Sequence, residues 1–200
     1  MQCSYCKKKR DNLYMCSACR IAVYCNDECA HLDWIGNHAS EVSHHRMNLI
    51  LESGEKGNVY LGSVMAAEDV SYLKDHKVKA VLSALDEGRY PWGYIDDILD
   101  KNMFHMRITL DDDENTNIAQ YFDETSRFID EHVRAGRNVL VHCVAGQSRS
   151  TTLLIYYMVT YLGKDFPDVD DALSYIQQRR PQAQPNEGFM RQLDAAVSRL

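Results

Sequence analysis

No stretch of this 200-residue chain approaches the roughly 18 consecutive apolar residues that a membrane-spanning helix needs. The most apolar segment, Leu153 to Val159, is short and carries two tyrosines, so it reads as a core helix. No apolar stretch follows Met1, and no secretory leader is expected there. Basic charge is also scarce, with 22 Lys+Arg against 29 Asp+Glu and a net charge of −7. A surface of that sign excludes nucleic acid and anionic membranes as expected partners. The deficit is uneven, because residues 1–50 hold 6 basic and 5 acidic side chains and the remainder 16 and 24. Any anion site in the long acidic part must therefore be a local device. Cysteine is missing altogether between Cys29 and Cys143 and again after Cys143. A disulfide within that long part is excluded. Six cysteines crowded into the first 29 residues and one standing alone point to metal ligands plus a reactive thiol. Both suit a reducing compartment, so a cytoplasmic or nuclear location is expected. No internal repeat or low-complexity tract is present, and 45% hydrophobic residues suffice for an ordinary core.

The densest information lies in Val141 to Ser150. An apolar run, Val139 to Val141, leads to Cys143; Arg149 follows six positions later, and a helical pattern starts at once from Thr151 to Leu162. A strand that turns through small residues into a helix N-terminus aims backbone N–H groups and a helix dipole at one point, which binds anions. The same field favours a thiolate, the nucleophilic form of cysteine. Arg149 adds a planar fork able to grip two phosphate oxygens. The stretch reads as a phosphate cradle lined by Val144, Ala145, Gly146, Gln147, Ser148 and Arg149, with Cys143 at its floor. A buried structural cysteine is the bland alternative, and the joint presence of His142, Gly146, Arg149 and Ser150 weighs against it.

His142-Cys143-Val144-Ala145-Gly146-Gln147-Ser148-Arg149-Ser150 resembles the signature loop of the cysteine-dependent protein phosphatases, in the form carried by small dual-specificity phosphatases. The resemblance spans nearly all of residues 58–200, including "VYLGS" from Val59 and "PNEGF" at Pro185 to Phe189. It implies hydrolysis of phosphotyrosine and phosphoserine or phosphothreonine in a phosphoprotein substrate, through a phosphocysteine on Cys143 and without a catalytic cofactor. Such a reaction needs one acid to protonate the departing oxygen and then deprotonate water. The acidic cluster upstream of the loop is Asp111-Asp112-Asp113-Glu114. In the family the acid sits nine residues before an aromatic pair; Tyr121-Phe122 then selects Asp112, and its acidic neighbours read as a solvated turn. The resemblance gives Ser150 the role of assisting release of the sulfur, and His142 that of supporting the loop. The uncharged loop positions speak against an inositol-lipid phosphatase. RNA and glucan phosphatases share the frame, and an adaptor built on a weakly active phosphatase fold is the alternative from another class.

The head carries Cys3-x2-Cys6, Cys16-x2-Cys19, Cys25 and Cys29, followed by His31, His38, His44 and His45. Cys-x2-Cys knuckles suit tetrahedral zinc, and so short a span has no core without metal. The pattern, with "VYC" before the third pair and Trp34 five residues past Cys29, resembles a MYND zinc finger. By that resemblance two structural zinc ions are expected. One takes Cys3, Cys6, Cys25 and Cys29; the other takes Cys16, Cys19, His38 and, in place of the family's final cysteine, His44, with His45 next in line. His31 reads as solvated. The resemblance implies a module that docks a peptide or protein partner. Lys7 to Arg10 with Leu13 and Met15 echoes a kinase-docking peptide but reads better as a solvated finger loop.

Residues 1–46 are thus expected to be the finger. Residues 47–57 should form a linker, with a helical extension over 40–57 that ends in the breaker stretch Ser53 to Gly57, and 58–200 the catalytic domain. Beyond residue 58, strand patterns at Val59 to Leu61, Val78 to Leu82, Phe104 to Leu110 and Asn138 to His142 alternate with helical ones at Glu68 to His76 and Ile118 to Arg134. Two helices close the chain, one starting at Pro167 and one capped by Asn186. This alternation predicts an α/β fold, a mainly parallel sheet flanked by helices, with the site beyond the strands' carboxyl ends.

Overall fold

The computed structural model describes residues 2–10, 12–15, 23–33, 47–86, 88, 98–99 and 101–199. Its contacts divide into two units, Met1–Arg46 and Met47–Leu200. In the first, β1 (Tyr14–Met15) pairs antiparallel with β2 (Val23–Tyr24), and the short α1 (Asp27–Asp33) follows. Cys3, Tyr24 and Cys29 are its buried centre among the described residues. Lys7 takes a left-handed backbone (φ 60), closing a knuckle in which the Cys3 N–H donates to the Lys8 carbonyl at 3.0 Å. Lys7 to Arg10 are exposed, and Lys9 bridges back to Gln2. This closed turn, with its side chains in solvent, is the solvated finger loop; it is not an extended docking peptide.

The second unit is a five-stranded sheet in the order β3 (Met47–Leu51), β4 (Val59–Gly62), β7 (Asn138–His142), β5 (Val78–Leu85), β6 (Phe104–Thr109). All neighbours are parallel except β3 and β4. One face packs on α4 (Phe122–Arg134), α5 (Arg149–Tyr161), α6 (Val169–Arg179) and α7 (Glu187–Val197). The other face packs on the short α2 (Val64–Glu68) and α3 (Val70–Asp75). Strands β4, β7 and β5 are buried almost throughout, as sheets covered on both faces require. The fold is therefore the expected mainly parallel sheet flanked by helices.

Several expectations need correction. From residue 47 the expected helical extension and linker give way to β3, an edge strand whose Met47, Ile50 and Leu51 are buried and whose residues pair with β4 in a hairpin; residues 40–46 of that extension lie outside the described residues. Leu and Met favour helix locally, but the available partner edge of β4 decides the backbone. Ser53 to Gly57 is the hairpin turn, held by Lys56 N–H to Ser53 O (3.1 Å) and Gly57 N–H to Val133 O (2.9 Å). The second compact unit runs from Met47 to Leu200, so β3 packs with the part expected to be catalytic. The segment 64–75 forms two short helices broken at Asp69, whose carboxylate caps the second by accepting from the Tyr72 N–H. Pro167 lies outside α6, which is capped by Asp168 accepting from the Asp171 N–H at 2.8 Å. Asn186 caps α7 as expected, accepting from the Phe189 N–H at 2.9 Å.

Candidate active site

Because β5, β6 and β7 run parallel, their carboxyl ends deliver Asp86, the 110–114 loop and the Cys143 loop to one sheet edge. Cys143 is almost fully buried, and its Sγ accepts from the Gly146 N–H (3.2 Å) and the Ser150 hydroxyl (3.2 Å). Burial raises the thiol pKa. Against it stand the Arg149 charge, the Ser150 hydroxyl and the N–H groups of Ser150 and Gln147, and the balance falls below the usual thiol value.

The loop's carbonyls explain that balance. The Val144 carbonyl accepts from the Val64 N–H (3.1 Å), and Gln147 from the Gln184 N–H (2.8 Å). Ala145 and Gly146 accept from Arg180, and Cys143 from His142 Nδ1 (3.2 Å). In planar trans peptides the N–H points opposite to the carbonyl, and no peptide here is cis. Anchoring five successive carbonyls outward turns the N–H groups of Val144 to Ser148 the other way, into a cradle. Gly146 has φ +67, and a Cβ there would strike the backbone of Gly62, so only glycine fits this turn.

Arg149 is the first residue of α5 and is 4% exposed. Its Nη1 donates to the Leu110 carbonyl at 3.2 Å and lies 3.6 Å from Asp86 Oδ2. Its Nε has no hydrogen-bond partner, although Asp112 Oδ2 lies 3.6 Å away. A buried guanidinium N–H left open at an anion cradle is a donor awaiting an oxyanion.

Within the acidic cluster, only Asp112 is tied to the cradle. Its Oδ1 accepts from the Ser148 hydroxyl (2.6 Å) and from Asn186 Nδ2 (3.0 Å). Asp111 is exposed, Asp113 closes a turn by accepting from the Asn115 N–H, and Glu114 pairs with Arg191 at 3.6 Å. The loop is clamped at both ends. Tyr121 donates its hydroxyl to the Thr109 carbonyl (3.2 Å), and Gly188 packs so closely on the Glu114 backbone that a Cβ there would collide. The aromatic residue used to choose Asp112 thus physically holds its loop.

His142 is wholly buried, and burial holds its pKa down at about 3 against the opposing bond to the Cys143 carbonyl; His105 and Arg149 push it the same way as burial. The ring is neutral. With Nδ1–H on the Cys143 carbonyl, its Nε2 accepts the Ser83 hydroxyl (2.6 Å), whose oxygen meets His105 Nε2 at 2.8 Å. Ser83, His105, Asp86, Arg180 and Gln184 escaped the sequence reading, because each acts through a partner distant in the chain. Asn186 had been assigned only its cap.

In the finger, Cys3, Cys6, Cys25 and Cys29 offer ligand atoms all within 4.8 Å of one another. Cys6 and Cys25 Sγ are 3.7 Å apart, and Cys25 and Cys29 Sγ 3.6 Å. Four sulfurs bonded at about 2.3 Å to one tetrahedral ion stand about 3.8 Å apart, so the set fits zinc. Cys16, Cys19, His38, His44 and His45 lie outside the described residues, as does Trp34.

Comparison with known families agrees with this geometry. The profile of the dual specificity phosphatase catalytic domain matches residues 59–198, and that of the MYND finger residues 3–41. The chain belongs to the dual specificity phosphatases. Dual specificity protein phosphatase 1 of Arabidopsis thaliana is 39% identical over 135 residues, which make up 68% of this chain and 63% of that protein. The chain thus spans less than two thirds of that relative. Among solved structures, DUSP15 superposes with a TM-score of 0.64 at 32% identity, covering 76% of this chain and 88% of that one. The human tyrosine phosphatase-like serine/threonine/tyrosine-interacting protein gives 0.66 at 26%, covering 77% and 97%. This dual specificity phosphatase unit thus carries a MYND finger ahead of its first strand.

Proposed function

We propose that the chain hydrolyses phosphotyrosine and phosphoserine or phosphothreonine in proteins through a phosphocysteine, and that its finger docks a peptide or protein partner. The observation that carries this reading is the Cys143 sulfur held by Gly146 N–H and Ser150 Oγ–H beside an Arg149 Nε with no hydrogen-bond partner. Arg149 and the N–H groups of Val144 to Ser148 hold the phosphoryl oxygens. The Cys143 thiolate forms the S–P bond while the P–O bond to the substrate breaks, and protonated Asp112 gives its proton to the departing oxygen. The Asp112 carboxylate then takes a proton from water, whose oxygen attacks phosphorus. The S–P bond breaks, phosphate leaves, and the Ser150 hydroxyl steadies the returning thiolate. Arginine and backbone dipoles supply the positive field, so no metal is assigned to the chemical step.

Two structural zinc ions belong to the finger, one on Cys3, Cys6, Cys25 and Cys29, the other on Cys16, Cys19, His38 and His44. The metal supplies the fold of a segment with little core of its own. A thiolate enzyme with reduced zinc thiols belongs in the cytoplasm or nucleus.

Initial rates on phosphotyrosine and phosphothreonine peptides, a phosphoinositide, a phosphoglucan and a 5′-phosphorylated RNA, with acid quench to trap phosphate on Cys143, test the reading. Both peptides should turn over fastest with label on Cys143. Preference for one of the other substrates would replace the protein substrate class, and the absence of turnover and label together would favour an adaptor.

A further inference from the structure

Arg180 is the largest fully buried side chain of the described residues, and a buried arginine demands a reason. It caps the carboxyl end of α6, 31 residues beyond Arg149 in the chain. Its guanidinium nevertheless reaches the cradle from its carbonyl side. Nε donates to the Gly146 carbonyl (2.7 Å) and Nη2 to the Ala145 carbonyl (2.8 Å), a fork across two adjacent peptide planes. Nη1 donates to Asn48 Oδ1 at 2.7 Å. Asn48 is the second residue of β3, the strand that opens the catalytic unit.

We propose that Arg180, seated by Asn48, is a positioning residue for the phosphatase reaction: its fork sets the peptide planes whose N–H groups face Cys143 and the phosphate, and its charge helps hold the thiolate. This rests on the phosphocysteine reading. Two separate observations support it. The fork takes the two carbonyls flanking Gly146, the residue whose N–H touches the sulfur and whose backbone is left-handed. Without those bonds the planes beside Gly146 lose the partners that aim them. Second, the two charges sense each other. Burial draws the Arg180 pKa down to about 10, opposed by the Cys143 charge, so the guanidinium remains protonated at neutral pH. Only arginine spans two carbonyls and a third acceptor at once, so lysine should replace its charge but not its geometry.

The test uses full-length Arg180→Lys, Arg180→Met and Asn48→Asp proteins. Three readouts apply: the pH dependence of Cys143 alkylation by iodoacetamide, competitive inhibition by inorganic phosphate, and kcat/KM on a phosphotyrosine peptide. Arg180→Lys should weaken phosphate inhibition and kcat/KM about 10- to 100-fold, the range for one lost charge-assisted hydrogen bond, with little change in the alkylation midpoint. Arg180→Met should also move that midpoint to higher pH. Asn48→Asp places a carboxylate against Nη1 and partly neutralises it, so the midpoint should rise while thermal stability holds. A wild-type enzyme that forms the Cys143 adduct while Arg180→Lys and Asn48→Asp keep its phosphate affinity and midpoint overturns the inference alone. A wild-type enzyme with no adduct overturns the underlying reading instead. Should Arg180→Met fail to fold, the other two variants still decide.

Discussion

The finger and the catalytic unit use the same side chain for opposite ends. In residues 1–46, four thiols face one another across less than 5 Å, and the buried centre of the described part amounts to Cys3, Tyr24 and Cys29. From Met47 onward, one thiol faces N–H and O–H donors, and the core runs through Leu61, Leu82, Ile129, Tyr157 and Phe189. Sulfurs crowded together need a cation to neutralise them, which makes them ligands. A sulfur ringed by donors at a helix N-terminus is favoured as a thiolate, the form of cysteine that acts as a nucleophile. The neighbours, not the residue, decide. The described part of the first unit has a buried centre built around cysteines that suit a metal ion, whereas the second has a full apolar core that accommodates a buried charge.

The sharpest way to break this contrast is Cys143→Ser. Turnover should fall by at least about 10⁴-fold, as loss of a nucleophile does, while inorganic phosphate still binds. A near-normal rate would show that the lone thiol is not the nucleophile. Chelation should act on the other region only. The finger should lose its fold while phosphatase activity persists, as proteolysis and rate assays on the same sample would show. Metal analysis should find two zinc ions per chain, and one would mean that Cys16, Cys19, His38 and His44 do not complete a second site.

Next in size, Asp112→Asn should cost about 10²–10⁴-fold on substrates with poor leaving groups, and Asp111→Asn or Asp113→Asn only a few-fold. If one of these neighbours carries the loss, the acid lies one position away. Asn186→Ala removes one of the two donors seen on Asp112 Oδ1 and should cost about tenfold. Equal rates would mean that Ser148 alone holds the acid.

The smallest effect concerns pH. With His142 near 3 in the folded state and about 6.5 unfolded, the unfolded chain takes up a proton that the folded chain refuses between those values. Stability should therefore fall with acidification below about pH 6.5, by up to roughly 1.4 kcal/mol per pH unit. Urea denaturation at pH 7.5 and 5.0 should show this slope, and His142→Gln should lose that part of it.

Much of this was legible along the chain because the signals are local. A continuous apolar run, Val139 to Val141, marked β7, and Cys143, Gly146, Arg149 and Ser150 sit within eight residues, so their joint chemistry needs no knowledge of the fold. The three thiol pairs and the acidic cluster are equally local. The edge strand β3 was misread, since Met47 to Leu51 prefers helix until β4 offers it a partner. Composition, spacing and side-chain chemistry by themselves determined the α/β class, the small-residue loop with Cys143 and Arg149 at its two ends, and the thiol-rich head. Only the tertiary structure decided what surrounds them: Arg180 beneath the loop, Asn186 on Asp112, and Ser83 between His105 and His142. Each of those contacts joins residues 22 to 132 positions apart, counting the Arg180–Asn48 bond. No local propensity encodes such pairings; they exist because the packed sheet brings distant residues together and buried polar groups must then find partners.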